Sequence, residues 1–312
     1  MHIKRLLVAA LVAVPLVGGL TAGPAAAAST GWNPPQRFEL GYTVNGRVGA
    51  ANLDGNIFTV WRNATDDGMT TNGLYGSPQT FPGRTSGNPA ATVISGRIYV
   101  GWKGVDGDNR LFMASSSNGF DWTPGAAMPG AGTSDGPALT VFNGRIYQAW
   151  KGVPGDNRIF VSSSFDGVSW GPTAVVPGGT SDSPALAVFN GRLRLAWKGV
   201  PGDNRIFFSS SADGLNWTGG SPAIAGNTSG SPTLAAFDGG LYLGWKGVPG
   251  DDHLYYTISP DGEYWPWGTD AGVGSSAYGP TFVQRPDGTY LYLLWHTDDG
   301  TNQIRYSWRN KV

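Results

Sequence analysis

No cysteine occurs anywhere in the chain. Disulfide bracing, thiol nucleophiles and Cys-ligated metals are therefore excluded, and the fold must rest on core burial. Histidine is nearly as scarce. Beyond the N-terminal region only His253 and His296 remain, too few for an all-histidine zinc site. Glutamate is limited to Glu39 and Glu263. Charged residues are 14% of the chain and the net charge is −1, which argues against nucleic acid or an anionic membrane surface as the main partner. Helical periodicity is absent, and the one long apolar run is Leu6 to Leu20, short for a membrane span. That run follows Lys4 and Arg5 and precedes Ala26-Ala27-Ala28. Residues 1–28 therefore read as a secretory signal peptide, with the mature, extracellular chain expected at 29–312 as one domain without membrane insertion.

Glycine and aromatic side chains are abundant. There are 49 glycines, and Phe, Trp and Tyr make up 12%. Many turns with many large apolar groups indicate an all-β chain rather than a disordered one. The segment Asn143 to Phe160 (NGRIYQAWKGVPGDNRIF) returns as NGRLRLAWKGVPGDNRIFF at Asn190 to Phe208, and again at Ser95 to Phe112 and Gly239 to Tyr256. Fainter copies begin at Asp54 and Asp287. The aligned tryptophans, Trp61, Trp102, Trp150, Trp197, Trp245 and Trp295, are spaced by 41, 48, 47, 48 and 50 residues.

Each unit reads as four short strands: a first strand such as Ser183 to Phe189, an Asn-Gly turn, a second strand ending in Trp-Lys, a KGVPGDN loop, and a third strand such as RIFFSSS. A further turn leads to a fourth strand, with Trp122, Trp170, Trp217 and Trp265 assigned to it and Tyr75 standing nearby in the first unit. Six units of four strands predict a six-bladed β-propeller. The last unit ends too early for a fourth strand. Gly31-Trp32-Asn33-Pro34 matches Ser169-Trp170-Gly171-Pro172, so the N-terminal segment is expected to supply that strand and close the ring.

The turns before these tryptophans carry a recognisable motif. Ser164-Phe165-Asp166-Gly167-Val168-Ser169-Trp170 recurs at Ser211 to Trp217 and Ser259 to Trp265, and with Asn118 in place of Asp at Ser116 to Trp122. This resembles the Asp-box of sialidases and related propellers, specifically a non-catalytic, lectin-like branch. The resemblance implies a structural turn on the face opposite the active site, in which Asp accepts backbone N–H groups and Trp is buried.

The Asn-Gly hairpins and Asp-box turns fall on one face. The KGVPGDN loops and the segments entering each first strand fall on the other. This second face is expected to present Lys103, Lys151, Lys198 and Lys246 beside Asp108, Asp156, Asp203 and Asp251, with Asn109, Asn157 and Asn204, and Asp135 and Asp182 from the entering segments. Two readings of these residues compete. Lys can be merely solvated while Asp caps a turn. Alternatively, the copies form equivalent sites for a hydroxyl-rich ligand such as a glycan, individually weak and strengthened by repetition.

Metal and catalytic patterns are thin. Asp106-Gly107-Asp108 hints at a calcium loop, but the other copies carry Pro154, Pro201 and Pro249 in place of Asp106, so no metal or cofactor is expected. Gly132-Thr133-Ser134-Asp135-Gly136 matches a nucleophile-elbow string without its strand-turn-helix context. Where the repeat breaks, in the adjacent blades one and six, Arg62, Asp66, Asp67 and Arg84 are expected on or near the polar face, as are Tyr278, His296, Asp298 and Asp299. A sialidase-type site needs a Tyr nucleophile with a neighbouring Glu, and no Glu can be placed there. The expected function is a carbohydrate-binding, lectin-like propeller. The alternatives are a sialidase-like glycoside hydrolase acting from blades one and six, or a scaffold for protein partners.

Overall fold

A computed structural model describes residues 31–38, 43–73, 78–285 and 287–312. The expected signal peptide, Glu39 and Tyr75 lie outside the described residues. The described chain contains no helix and forms six four-stranded antiparallel sheets, the blades of a β-propeller. Blades one to five span residues 49–84, 90–132, 138–179, 185–227 and 233–275, each with its strands in chain order from the axis outward. Blade six combines Thr281–Gln284, Tyr290–His296 and Ile304–Asn310 with the two-residue strand Gln36–Arg37 at its outer edge. Gln36 pairs with Tyr306 and Arg37 with Arg305. Asn33 adds backbone and side-chain donors to the Trp308 carbonyl, both at 2.9 Å.

The hairpins follow from their turn residues. Asn143 and Asn190 adopt φ of 47° and 50°, each followed by a positive-φ glycine, as the tight two-residue turns of twisted hairpins require. The second strands pack differently from a simple alternation. In Arg192–Lys198 every residue after Arg192 is buried, because a neighbouring blade covers each side of the sheet. Leu193, Leu195 and Trp197 point one way; Arg194 and Ala196 point the other. Trp197 stacks on Phe207 across the hairpin, with ring centres 6.0 Å apart. A Cβ on Gly178 of blade three would sit 2.8 Å from the Trp197 ring, so glycine is what lets blade three lie over that tryptophan.

The turn tryptophans are not in the fourth strands. Those strands begin four residues later, at Ala126, Ala174, Ser221 and Thr269. Trp170 and Trp217 instead form isolated bridges to Ser164 and Ser211. The turn explains this: Asp166 Oδ1 accepts the N–H groups of Val168 and Ser169 (2.8 and 2.7 Å), curling the chain before it can extend. Of the four, only Trp265 is fully buried; Trp122, Trp170 and Trp217 are half-buried.

The inner strands surround the axis, and that of blade six lies against that of blade one. One residue per blade forms an apolar girdle: Ala50, Ala91, Leu139, Leu186, Leu234 and Phe282. Above it lies a cavity of about 90 Å³ on the loop side, and below it a wider funnel of about 630 Å³.

Candidate functional site

The four lysines expected on the loop face are buried, with 5%, 6%, 9% and 8% of Lys103, Lys151, Lys198 and Lys246 exposed. The ammonium groups of the first three donate to Ser86, Ser134 and Ser181 Oγ, at 2.7, 2.6 and 2.7 Å. Lys246 reaches Ser229 Oγ at 3.3 Å and pairs with Asp252. Each lysine therefore turns inward, and ties the end of a second strand to the segment entering the same blade. The physical reason is local: that segment passes directly under the strand end and offers its serine as an acceptor.

The aspartates are also committed. Asp156 accepts Arg158 N through an Asx turn (3.0 Å) and holds the Arg158 guanidinium through Nε and Nη2 (3.0 and 2.8 Å). Asp108–Arg110 and Asp203–Arg205 repeat this arrangement. The arginine lowers each carboxyl below its usual range, Asp108 to about 2. With both Asp108 oxygens engaged by Arg110, the suggested calcium loop has lost its main ligand. In blade five Asp251 instead accepts His253 N (3.1 Å) and Tyr255 Oη (2.9 Å). His253 reaches Asp270 at 2.8 Å, which raises its pKa.

Sequence reasoning passed over the arginines themselves. Arg110, Arg158 and Arg205 lie over Phe112, Phe160 and Phe207 at 5.0, 5.2 and 5.2 Å. Each phenylalanine stacks in turn on the blade tryptophan. The result is a layered ledge of Trp, Phe and Arg, the last 60–64% exposed and locked by Asp. Nη1 of each arginine makes no hydrogen bond among the described residues. Nor do the side-chain amides of Asn109, Asn157 and Asn204, whose backbone carbonyls accept Thr133, Thr180 and Thr228 N at 2.8 Å. At the blade three/four junction the ledge borders a cleft of about 330 Å³, lined by Pro177, Gly178, Trp197, Val200, Asp203 and Phe207.

Asp135 and Asp182 lie elsewhere, at the loop-side mouth of the axial channel. Asp135 accepts Asn88 Nδ2 (3.2 Å), Gly136 N (2.6 Å) and Ser183 N (3.0 Å). Asp182 accepts Ser183 N (2.9 Å) and Ser231 Oγ (2.6 Å). These contacts link blades two to five around the axis. Burial and the adjacent Asp182 carboxylate push Asp135 up to about 7. Arg47, also missed from the sequence, stands in the same mouth; burial lowers it to about 10, while Asp182 and Asp135 pull the other way. Its Nε donates to Thr281 Oγ1 at 3.1 Å.

The divergent residues of blades one and six are bonded to one another and to neighbouring backbone. Arg62 pairs with Asp67 and donates to the Ser86 carbonyl at 3.1 Å, and Arg84 donates to the Asp66 carbonyl at 2.6 Å. Tyr278 stacks on His296 at 5.1 Å and donates to Asn45 Oδ1 at 3.0 Å. Burial lowers the His296 pKa. Asp298 accepts Ser275 Oγ at 2.6 Å, and Asp299 accepts Thr301 N at 3.0 Å. Among the described residues, no group of three or more His, Cys, Asp and Glu side chains converges as a metal site would require.

The chain matches no protein-family model and no curated protein. Its fold is shared with solved structures. A Penicillium chrysogenum alpha-L-arabinanase complexed with arabinobiose superposes with a TM-score of 0.66 at 12% identity, over 89% of this chain and 96% of that one. SapL1 lectin in complex with alpha methyl fucoside gives 0.61 at 18% identity, over 88% and 98%. A Trypanosoma rangeli sialidase gives 0.58 at 15% identity, over 88% of this chain and 58% of that one. Identities this low carry the propeller architecture and nothing further.

Proposed function

We propose that the mature chain is an exported carbohydrate-binding propeller with several equivalent sites, the Arg-Asp-Phe ledges of blades two, three and four. One observation carries this reading: three copies of an exposed, pre-positioned guanidinium with unspent donors, each beside an unpaired asparagine amide. Arginine fixed by a carboxylate and an aromatic ring loses little further freedom on binding. Sugar hydroxyls accept from Nη1 and from the amide, while the Phe and Val edges cover the apolar face of a pyranose. The cleft beside Val200 and Trp197 is of a size for a small ligand. Arabinanase, lectin and sialidase neighbours are consistent with a carbohydrate partner.

The test is calorimetry of residues 29–312 against a glycan first identified on an array. The expected stoichiometry is well above one, and Arg158→Ala or Arg205→Ala each removes about one site while leaving the melting temperature unchanged. A single site per chain, indifferent to both substitutions, overturns the ledge reading.

A further inference from the structure

The turn face holds a pocket whose lining departs from the repeat. It lies between blades four and five, has a volume of about 360 Å³, and is lined by Arg194, Phe208, Ser210, Thr218, Glu263 and Trp265. Its origin is a paired departure from the repeat. The second-strand position of Arg194 is aromatic in every other blade: Phe58, Tyr99, Tyr147, Tyr242 and Tyr292. In blades one to three that ring packs against the turn glycine of the next blade, Phe58 on Gly119, Tyr99 on Gly167 and Tyr147 on Gly214. At the four/five junction the Arg194 guanidinium lies on Gly262 instead. The residue after the turn glycine changes with it. Phe120, Val168 and Leu215 are apolar, whereas blade five carries Glu263, which pairs with Arg194.

The pair is poorly explained as a stabilising device. Arg194 is 4% exposed, so its charge is taken out of water where other blades bury a ring. Its partner Glu263 is 71% exposed and returns only a screened attraction. Nη1 and Nη2 also donate to the Gly262 and Asp261 carbonyls (3.2 and 3.3 Å), yet the buried Nε has no partner. The buried Trp265 Nε1 has none either, although the equivalent Trp217 Nε1 donates to the Gly214 carbonyl at 3.1 Å. Arg194 and Trp265, each with a buried donor that lacks an acceptor, thus line one pocket, beside an accessible carboxylate.

We propose that this pocket binds a single sugar ring of a glycan, a choice of ligand class that rests on the carbohydrate-binding reading above. Glu263 accepts from a sugar hydroxyl, and a small shift of the turn at Gly262 opens the buried Arg194 Nε and Trp265 Nε1 to ring or hydroxyl oxygens. Ser210 and Thr218 add hydroxyls at the edge, and Phe208, stacked on Trp265 at 4.1 Å, forms the apolar floor. The buried, unmet donors identify an oxygen-rich neutral ligand rather than an apolar one.

The test uses ¹⁵N-labelled indole resonances of residues 29–312, with Trp265 assigned through Trp265→Phe. The probes are the methyl pyranosides of glucose, galactose, mannose, fucose and N-acetylglucosamine, titrated to tens of millimolar. At least one is expected to shift the Trp265 indole saturably and leave Trp217 in place. The double variant Arg194→Tyr with Glu263→Leu restores the residues of the other blades and should weaken that binding by about tenfold or more. If no probe moves Trp265, or if the double variant binds as wild type, the pocket is not a sugar site. Arg158→Ala separates the two readings. Its loss of binding with the pocket variant unaffected sinks the pocket alone, and the reverse pattern supports the pocket and sinks the ledges.

Discussion

Lys151→Met separates two roles for the repeated lysine. The substitution keeps the buried stem and removes the ammonium group. What is lost is a charge-assisted hydrogen bond to Ser134 Oγ at 2.6 Å, in a side chain only 6% exposed. Such bonds contribute about 1.5–3 kcal/mol. Two effects reduce the loss. The ammonium no longer has to be desolvated, and Ser134 Oγ still donates to the Gly152 carbonyl at 3.0 Å. The expected net destabilisation is therefore about 1–2 kcal/mol, a fall in melting temperature of roughly 2–8 °C for a domain of this size. Lys151→Ala should cost more, because it also empties the channel occupied by the stem. The assay is thermal and urea unfolding alongside glycan calorimetry. Lower stability with unchanged stoichiometry is expected. A Lys151→Met protein that melts at the wild-type temperature but loses a binding site would refute the clamp and return the lysine to the ligand.

Three further outcomes are expected. Trp32→Ala should cost about 3 kcal/mol, since Trp32 stacks on Phe282 and meets Tyr256 edge-on; deleting residues 29–37 should also bare the Ile304–Asn310 edge and promote aggregation, and a truncated protein as stable and monomeric as wild type rules out closure by the N-terminal strand. Asp135, raised to about 7, holds a proton in the folded state that an unfolded carboxyl releases near pH 3.9, so its contribution to stability falls as pH rises from about 4 to 7 and is level above that. The difference between wild type and Asp135→Asn isolates this slope from His253, whose raised pKa gives a decline of the same sign; parallel stability curves for the two proteins would exclude it. Finally, a fluorogenic sialoside should show no turnover, because the Tyr278 hydroxyl donates to the Asn45 amide oxygen and not to a carboxylate that could take its proton; hydrolysis abolished by Tyr278→Phe would make blades one and six an active site.

Much of the architecture was legible because it is written in short-range signals. Asn-Gly pairs fix the hairpins, and the Trp-Lys strand ends count the blades. The fourth strands were misplaced by four residues because a turn built on Asp166 leaves no mark in hydrophobic pattern; the tryptophan after it looks like a strand residue. The lysines were misjudged for another reason. A charged residue after a strand reads as solvated, and the acceptor that draws Lys151 inward, Ser134, stands 17 residues earlier in a segment that only the tertiary fold brings beneath it. Arg47 was missed because the first unit aligns poorly until its hydrogen bonds show it occupying the position of Gly136 in blade three.

Arg194 was legible and overlooked. Aligning the second strands alone sets it against five aromatic residues. That contrast bears on how a repeat protein should be read. A residue present in every near-identical copy meets a need common to all blades, and most such needs are internal; the buried lysines are the clear case. A residue that departs from the repeat is released from that shared need, and a paired departure across one junction requires a local cause. Packing does not supply it at Arg194 and Glu263, where a buried charge replaces a ring and leaves donors unmet. The Arg-Asp ledges fall between these extremes: repeated three times, yet ending in exposed, unspent donors. Multiplicity therefore decides between them. A multivalent glycan ligand engaging ledges should bind with an avidity that falls stepwise as Arg110, Arg158 and Arg205 are replaced in turn. One engaging only the four/five pocket should lose binding in a single step at Arg194 and show none of that gradation.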